Sequence, residues 1–263
     1  MAYFTRTGSS TFLPSSHVSG AWNPEDQHIA PAMGLLAHVV ELDRDTRRRD
    51  RPVLARLCYD IFGTMPVDTV ETGVRVVRSG RTVELVEAVL RQGGRTALSL
   101  RAWLMQEAST TEVAGTLLPP IAPPAEMAPW EPSSLWPGGF LASLEVRRAP
   151  SGPGRARYWV CTAHELVEGE PASATARAAG LLDLANGMAV RVSPEETAFP
   201  NVDLTAHLLA EPDEGWLGFD TSVSFGVDGL GVTNSVIHGA LGPIGTVAQI
   251  LTIRPRASGS SAR

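Results

Sequence analysis

Apolar and polar residues alternate with a period close to two through four consecutive runs: VLARLCYDIF (53–62), DTVETGVRVVRSG (68–80), TVELVEAVLRQGG (82–94) and RTALSLRAWLMQ (95–106). Val74, Val76, Leu85, Val89 and Leu98 fall among the alternating positions, which predicts half-buried strands. Ser79-Gly80 and Gly93-Gly94 mark hairpin turns between them. Ahead of these runs the period lengthens. In PEDQHIAPAMGLLAHVVEL the apolar positions Met33, Leu35, Leu36, Val39 and Val40 suit a buried helix, with Asn23 and Pro24 opening the segment. Glu25 and Asp26 would favour the positive N-terminal end of that helix.

The second half repeats this order. FLASLEVRR (140–148) and ARYWVCTA (156–163) flank APSGPG and read as a hairpin, and SATARAAGLLDLANGM (173–188) reads as one alanine- and leucine-rich helix ending near Asn186-Gly187. NVDLTAHLL (201–209), EGWLGFDTSVSFGVDG (214–229), GVTNSVIHGALGP (231–243) and GTVAQILTIRP (245–255) match the four earlier strands. Leu35-Leu36-Ala37 falls on Leu181-Leu182-Asp183, Pro66 on Pro212, Ser79-Gly80 on Asp228-Gly229, and Thr96-Ala97-Leu98-Ser99 on Thr246-Val247-Ala248-Gln249. The common order and nearly constant offset point to a duplication. Between the halves lies LLPPIAPPAEMAPWEPSSLWP (117–137), whose seven prolines exclude helix or central strand and leave an extended connector. Trp130 and Trp136 are placed to pin it to the body. The organisation expected is an N-terminal unit over 10–107, a proline-rich connector over 108–138 and a C-terminal unit over 139–256. Each unit is a helix against a mostly antiparallel sheet, the α+β class. MAYFTRTGSS and ASGSSAR are expected to be loose tails.

Composition narrows the function. The 263 residues are 43% hydrophobic and 19% charged, a soluble globular balance that excludes a disordered tail, a fibrous repeat and a disulfide scaffold. No apolar run is long enough to span a bilayer, and the first residues lack the apolar core of a secretory signal. A net charge of −6 argues against a nucleic-acid surface. Cys58 and Cys161 lack metal-ligand spacing and suit a reducing, cytoplasmic setting. All 22 basic residues are arginine, so Schiff-base lysines and Walker-type phosphate loops are absent. There is no G-x-S-x-G elbow, no G-x-G-x-x-G after a strand and no H-E-x-x-H. His17, His38, His164, His207 and His238 have no acid or cysteine spacing suited to a metal, and no metal or other cofactor is expected. Arg47, Arg48 and Arg49, with Arg44 and Arg51, read as a solvated cluster, although arginine forks also suit phosphates.

The segments HVSGAWNPEDQHIAP (17–31), LLDLANGM (181–188), FPNVDLTAHLL (199–209), EGWLGFDT (214–221) and GPIGTVAQILTIRP (242–255) together resemble the double hotdog acyl-CoA thioesterases of the acyl-CoA thioesterase II type. The resemblance covers roughly residues 10–255. It implies two tandem hotdog units, hydrolysis of a fatty acyl-CoA or related thioester, a homodimer of double units, and a catalytic set on the second unit. That set comprises a helix aspartate, a strand hydroxyl and a strand glutamine. By motif these fall on Asp183, Asn201 and Gln249. Asparagine at 201 departs from the usual Thr or Ser: it hydrogen-bonds but cannot relay a proton as a hydroxyl does.

Each candidate also has a plainer reading. Asp183 amid Ala178, Leu181, Leu182, Leu184 and Ala185 is either solvated or functional, because an unpaired carboxylate on an apolar surface is costly. Gln249 could satisfy buried backbone groups. Asn201 and Asp203, after Pro200, suit turn capping as well as substrate contact. His28, at the mouth of the first helix, could assist a thioester oxygen bound at the helix N-terminus or simply cap and pack. Two alternatives remain open. One is a non-catalytic acyl-thioester or lipid binder. The other is a hotdog hydratase or dehydratase, which would place a histidine and an acid together at a helix start. Asp26-Gln27-His28 is suggestive of that pairing, but its spacing is short.

Overall fold

The computed structural model describes residues 1–256; ASGSSAR, expected as a loose tail, lies outside the described residues. The first half holds β1 (Ala2–Arg6), β2 (Thr11–Pro14), α1 (Ile29–Arg47), β3 (Val53–Ile61), β4 (Val70–Arg78), β5 (Val83–Gln92) and β6 (Arg95–Met105). Then come β7 (Ala128–Trp130), α2 (Gly139–Ala142), β8 (Leu144–Pro150), β9 (Arg155–Thr162), β10 (Glu165–Val167), α3 (Ala174–Ala179) and α4 (Ala185–Met188). The chain ends with β11 (Thr197–Ala198), β12 (Asp203–Leu208), β13 (Leu217–Phe225), β14 (Leu230–Gly239), β15 (Gly242–Thr252) and β16 (Arg254–Pro255).

Fourteen strands make one sheet in the order β10-β1-β2-β4-β5-β6-β3-β12-β15-β14-β13-β9-β8-β7, while β11 and β16 pair separately. The run β4-β5-β6-β3 returns reversed as β12-β15-β14-β13, so the halves are related by an approximate two-fold axis at the β3–β12 seam. That seam is antiparallel, from Asp203 opposite Asp60 to His207 opposite Arg56. This is the α+β double hotdog arrangement. Strand alternation decides which side chains face the helices: Leu98, Leu100, Ala102 and Leu104 of β6 are buried, as are Val247, Gln249 and Leu251 of β15.

Helix α1 is apolar almost all round because it is enclosed on every side: every residue from Ala30 to Glu41 is buried. It crosses α3 at a glycine contact. A Cβ on Gly34 would lie 2.9 Å from the Ala176 carbonyl oxygen and 3.0 Å from Gly180 Cα. Its C-terminal arginines are engaged with acids: Arg44 with Asp45 at 2.8 Å, Arg47 with Glu84 at 2.9 Å and Arg48 with Asp50 at 2.6 Å. They stand a helix length, about 28 Å for 19 residues, from the N-terminal end. No helix among the described residues is long and apolar enough to cross a membrane.

Several expectations are corrected. MAYFTRTGSS is not loose: β1 inserts between β10 and β2, and Phe4 is fully buried. Helix α1 starts at Ile29, not near Pro24, because residues 23–27 are drawn into other bonds. Asn23 Oδ1 accepts from Glu25 N–H, and Gln27 N–H donates to the Met65 carbonyl at 2.6 Å. Glu25 and Asp26 therefore lie outside the helix, whose first turn has no acid. The segment 173–188 is not one helix. Gly180 caps α3, and Leu182–Leu184 form a 3-10 turn before α4. Residues 140–142 of the expected first strand of the hairpin belong instead to the short helix α2. The proline-rich stretch is extended, with 3-10 turns at Pro124–Glu126 and Pro132–Ser134, and its residues 128–130 pair along β8 at the sheet edge.

Candidate functional site

The site forms where the N-terminus of α1 meets the broken helical segment of the second half. Loop 17–28 is clamped to loop 61–68, where Gln27 Nε2 donates to the Pro66 carbonyl at 2.9 Å and Gln27 N–H to the Met65 carbonyl, and it is closed on itself by His28 N–H, which donates to the Val18 carbonyl at 2.7 Å. On the opposite side, Trp136 Nε1 donates to the Gly187 carbonyl at 2.8 Å, and Asn186 Nδ2 to the Phe199 carbonyl at 3.3 Å. Trp22, Trp136 and Phe199 pack edge to face, with centroids 4.9–5.9 Å apart. Between these walls lies a cavity of about 350 Å3. Trp22, Ile61, Leu141, Leu184 and Met188 supply much of its apolar lining, and His28, Asp183 and Asn201 are among its polar groups.

The 3-10 turn aims Asp183 inward. Its Oδ1 accepts from Asn201 Nδ2 at 2.6 Å and from Gln249 Nε2 at 3.0 Å. Its Oδ2 carries no hydrogen bond among the described residues and faces His28, with Nδ1 4.0 Å away. Burial pushes the Asp183 carboxyl up from 3.8 to about 7, against the two amide bonds that favour the ionised form. The same burial pushes the His28 imidazole down from 6.5 to about 4. The approach at 4.0 Å is therefore not an ion pair near neutral pH: His28 is neutral there. Its Nδ1 is the N-cap acceptor for Ala30 N–H at 3.2 Å, so the ring proton resides on Nε2. In the first turn of α1, Ala30 N–H is thus engaged and Pro31 has none. The Ile29 N–H has no partner among the described residues.

The structure brings four of the five candidate residues together: Asp183, Asn201, Gln249 and His28. Asp203 stands apart and does not line the cavity. Its Oδ1 accepts from Ile250 N–H at 2.7 Å, and its backbone carbonyl accepts from Asn201 Nδ2 at 3.1 Å, so it braces Asn201 through its main chain. The cavity's aromatic wall was missed in the sequence. Trp136 was expected only to pin the connector, and its indole bond to Gly187 is what builds the wall.

Two family models cover most of the chain. The model of the acyl-CoA thioesterase N-terminal domain matches residues 18–105, and that of the C-terminal domain matches residues 119–253. The chain belongs to the acyl-CoA thioesterase family. It is thus a thioester hydrolase by family, and solved structures share its fold. A putative thioesterase from Novosphingobium aromaticivorans superposes with a TM-score of 0.75 at 18% identity, over 97% of this chain and 99% of the other. An acyl-CoA thioesterase II from Mycobacterium marinum gives 0.69 at 14% identity, over 97% of each chain. The dehydratase domain of a Mycobacterium tuberculosis protein, solved in complex with C12:1-CoA, gives 0.54 at 16% identity over 97% of this chain and 98% of the other. No curated protein matches.

Within this thioesterase the two halves differ at the site. Gln249 does not correspond in facing to Ser99, as the sequence repeat suggested: Gln249 is on the buried inner face of β15, whereas Ser99 points to the outer face of β6, 3.5 Å from Asp60 Oδ2. The inward neighbours of Ser99 are Leu98 and Leu100. A one-residue slip in register exchanges the faces of a strand. Near the N-terminus of α3, the approximate counterpart of the His28 end, polar groups pair with one another. Glu41 Oε2 accepts from Ser173 Oγ at 2.5 Å, and His38 Nε2 lies 3.1 Å from Glu170 Oε2.

Proposed function

We propose that the chain hydrolyses an acyl-CoA, or a related acyl thioester, to the free acid and thiol, with Asp183 as general base toward water. The observation that carries this is the asymmetry of the Asp183 carboxylate: one oxygen is held by two amides and the other is left toward the cavity. Asn201 supplies a donor where the family's usual residue is a hydroxyl, so it holds the carboxylate and relays nothing. Water attacks the thioester carbon and gives a proton to Asp183 Oδ2. The tetrahedral intermediate then expels the thiolate, which takes the proton back as thiol. Ile29 N–H at the helix N-terminus and the Nε2–H of neutral His28 are the donors for the developing oxyanion. The apolar cavity wall takes the acyl chain. The arginines at the far end of α1 are a helix length away and already paired, so they are not assigned to the CoA phosphates.

Thiol release from short-, medium- and long-chain acyl-CoAs tests this, with wild type and Asp183→Asn side by side. Turnover that falls about a hundredfold or more in the variant is expected. Turnover untouched by the substitution would remove Asp183 from the mechanism. Binding without turnover in the wild type would favour a non-catalytic binder. A second reading, hydration or dehydration of an acyl-CoA, is favoured by the meeting of His28 from one half with Asp183 from the other at 4.0 Å. Incubation with enoyl- and 3-hydroxyacyl-CoA, read by the conjugated double bond, separates it from hydrolysis.

A further inference from the structure

The inner face of the second half's sheet carries hydroxyl and amide groups where the first half carries alkyl groups. Thr221 on β13, Thr233 and Ser235 on β14 and Gln249 on β15 are all buried, whereas Val86, Ala88, Leu98, Leu100 and Ala102 fill the inner face of β5 and β6. Two of the four polar residues satisfy each other: Thr221 Oγ1 and Ser235 Oγ are 2.7 Å apart. The other two are left over. Thr233 Oγ1 and Gln249 Oε1 are each sealed from solvent without a hydrogen-bond partner among the described residues. These two residues are direct register partners across β14 and β15, which puts their Cβ atoms about 4.5–5.5 Å apart. Tyr158, whose hydroxyl is also unpaired, is two strands from β14 and stacked on Phe219.

A buried amide carbonyl is costly to leave unpaired, and Gln249 has two ways of turning its amide. Only one presents Nε2 to Asp183 Oδ1, at 3.0 Å. The other would set oxygen against oxygen. Whatever holds the carbonyl therefore decides whether Asp183 keeps its donor. We propose that Thr233 is a positioning residue: its hydroxyl holds one bound water that donates to Gln249 Oε1, and thereby fixes Gln249 with Nε2 turned toward Asp183. The inference rests on the reading of Asp183 as base, but the bond it asserts can be tested without catalysis.

The test compares wild type with Thr233→Val, which keeps the shape and removes the hydroxyl, and with Thr233→Ser, which restores it. The Asp183 side-chain carboxyl is titrated by 13C NMR, with His28 the titratable group facing it from α1. Loss of a firm Gln249 donor raises the Asp183 titration by roughly half a unit to one unit in Thr233→Val, and Thr233→Ser returns it to the wild-type value. Thiol release shows kcat lower by about tenfold in Thr233→Val, with KM within about twofold and recovery in Thr233→Ser. A Val variant that only melts earlier, with the titration and kcat unmoved, overturns the proposal. If the Val variant does not fold, Thr233→Ala provides the same comparison. If the wild type releases no thiol, the hydrolytic reading fails, and the titration still decides whether Thr233 sets the amide.

Discussion

Replacing Asp183 by asparagine keeps the shape of the side chain and removes an ionisation that burial has moved from 3.8 to about 7. The asparagine oxygen can still accept from Asn201 and Gln249, and its amide takes the place of Oδ2 facing His28 Nδ1, an acceptor. Folding raises this carboxyl's pKa, so the native state holds the proton more tightly than the unfolded chain. The stabilising contribution is complete below about pH 4 and is lost as pH rises through 7. At 1.36 kcal/mol per pH unit, the displacement from 3.8 to about 7 corresponds to about 4 kcal/mol. His28 has the opposite sign. Its pKa falls from 6.5 to about 4 on folding, so its contribution is present above pH 6.5 and lost as pH drops toward 4. In the wild type the two trends offset each other, but in a comparison with the variant the His28 contribution cancels. Urea unfolding of both proteins from pH 4 to pH 8.5 provides the assay. Asp183→Asn is expected to gain on the wild type as pH rises, by about 4 kcal/mol in total, while losing hydrolytic activity. A stability difference that does not change with pH, or one that turns against the variant at high pH, would refute the account of a carboxyl charged against its surroundings.

With Asp183 as the proposed base, the rate of thioester hydrolysis is expected to rise with pH through about 7, and kcat/KM measured from pH 5 to 9 with a stable thioester checks the acid limb. Gly34→Ala puts a methyl group 2.9 Å from the Ala176 carbonyl oxygen and lowers stability by about 1–3 kcal/mol, read by thermal or urea unfolding. Ser173→Ala removes both the α3 N-cap and a donor to buried Glu41, and costs about 2 kcal/mol in the same assay. Trp136→Phe loses the bond to the Gly187 carbonyl and loosens the cavity wall, so KM rises while the Asp183 titration stays in place.

The strands were legible because a sheet with one face toward a core writes its alternation directly into the chain: β3 to β6, β12 and β13 lie within the predicted runs, while β14 begins at Leu230 and β15 at Gly242, ahead of theirs. The second helix was not legible. An alanine- and leucine-rich run carries strong helix propensity, but Gly180 is held against Gly34 in a backbone contact that the sequence does not display. The break it introduces is what turns Asp183 into the cavity. Asp183, Asn201 and Gln249 are candidates by motif, and the structure brings their side chains together. Their meeting depends on pairings distant in sequence, and nothing local in AQILTIR says that Gln249 faces inward while Ser99 faces outward. β1 was misread because five residues next to a Gly-Ser turn look like a tail, until the distant β10 supplies its second neighbour. The tryptophans of the wall were visible as residues but not as a wall.

The approximate two-fold symmetry has a consequence for stoichiometry. A symmetric pair of hotdog units would offer two equivalent crevices, one at each helix start. Among the described residues the crevice at α1 measures about 350 Å3, while at the start of α3 Ser173 is bonded to Glu41 and His38 lies against Glu170. The two ends of the approximate two-fold therefore differ, one holding an open pocket and the other polar side chains bonded to one another. On the proposed reading each polypeptide takes up a single acyl thioester, and the half without the open crevice is where substitutions that strengthen the molecule are expected to leave the reaction untouched.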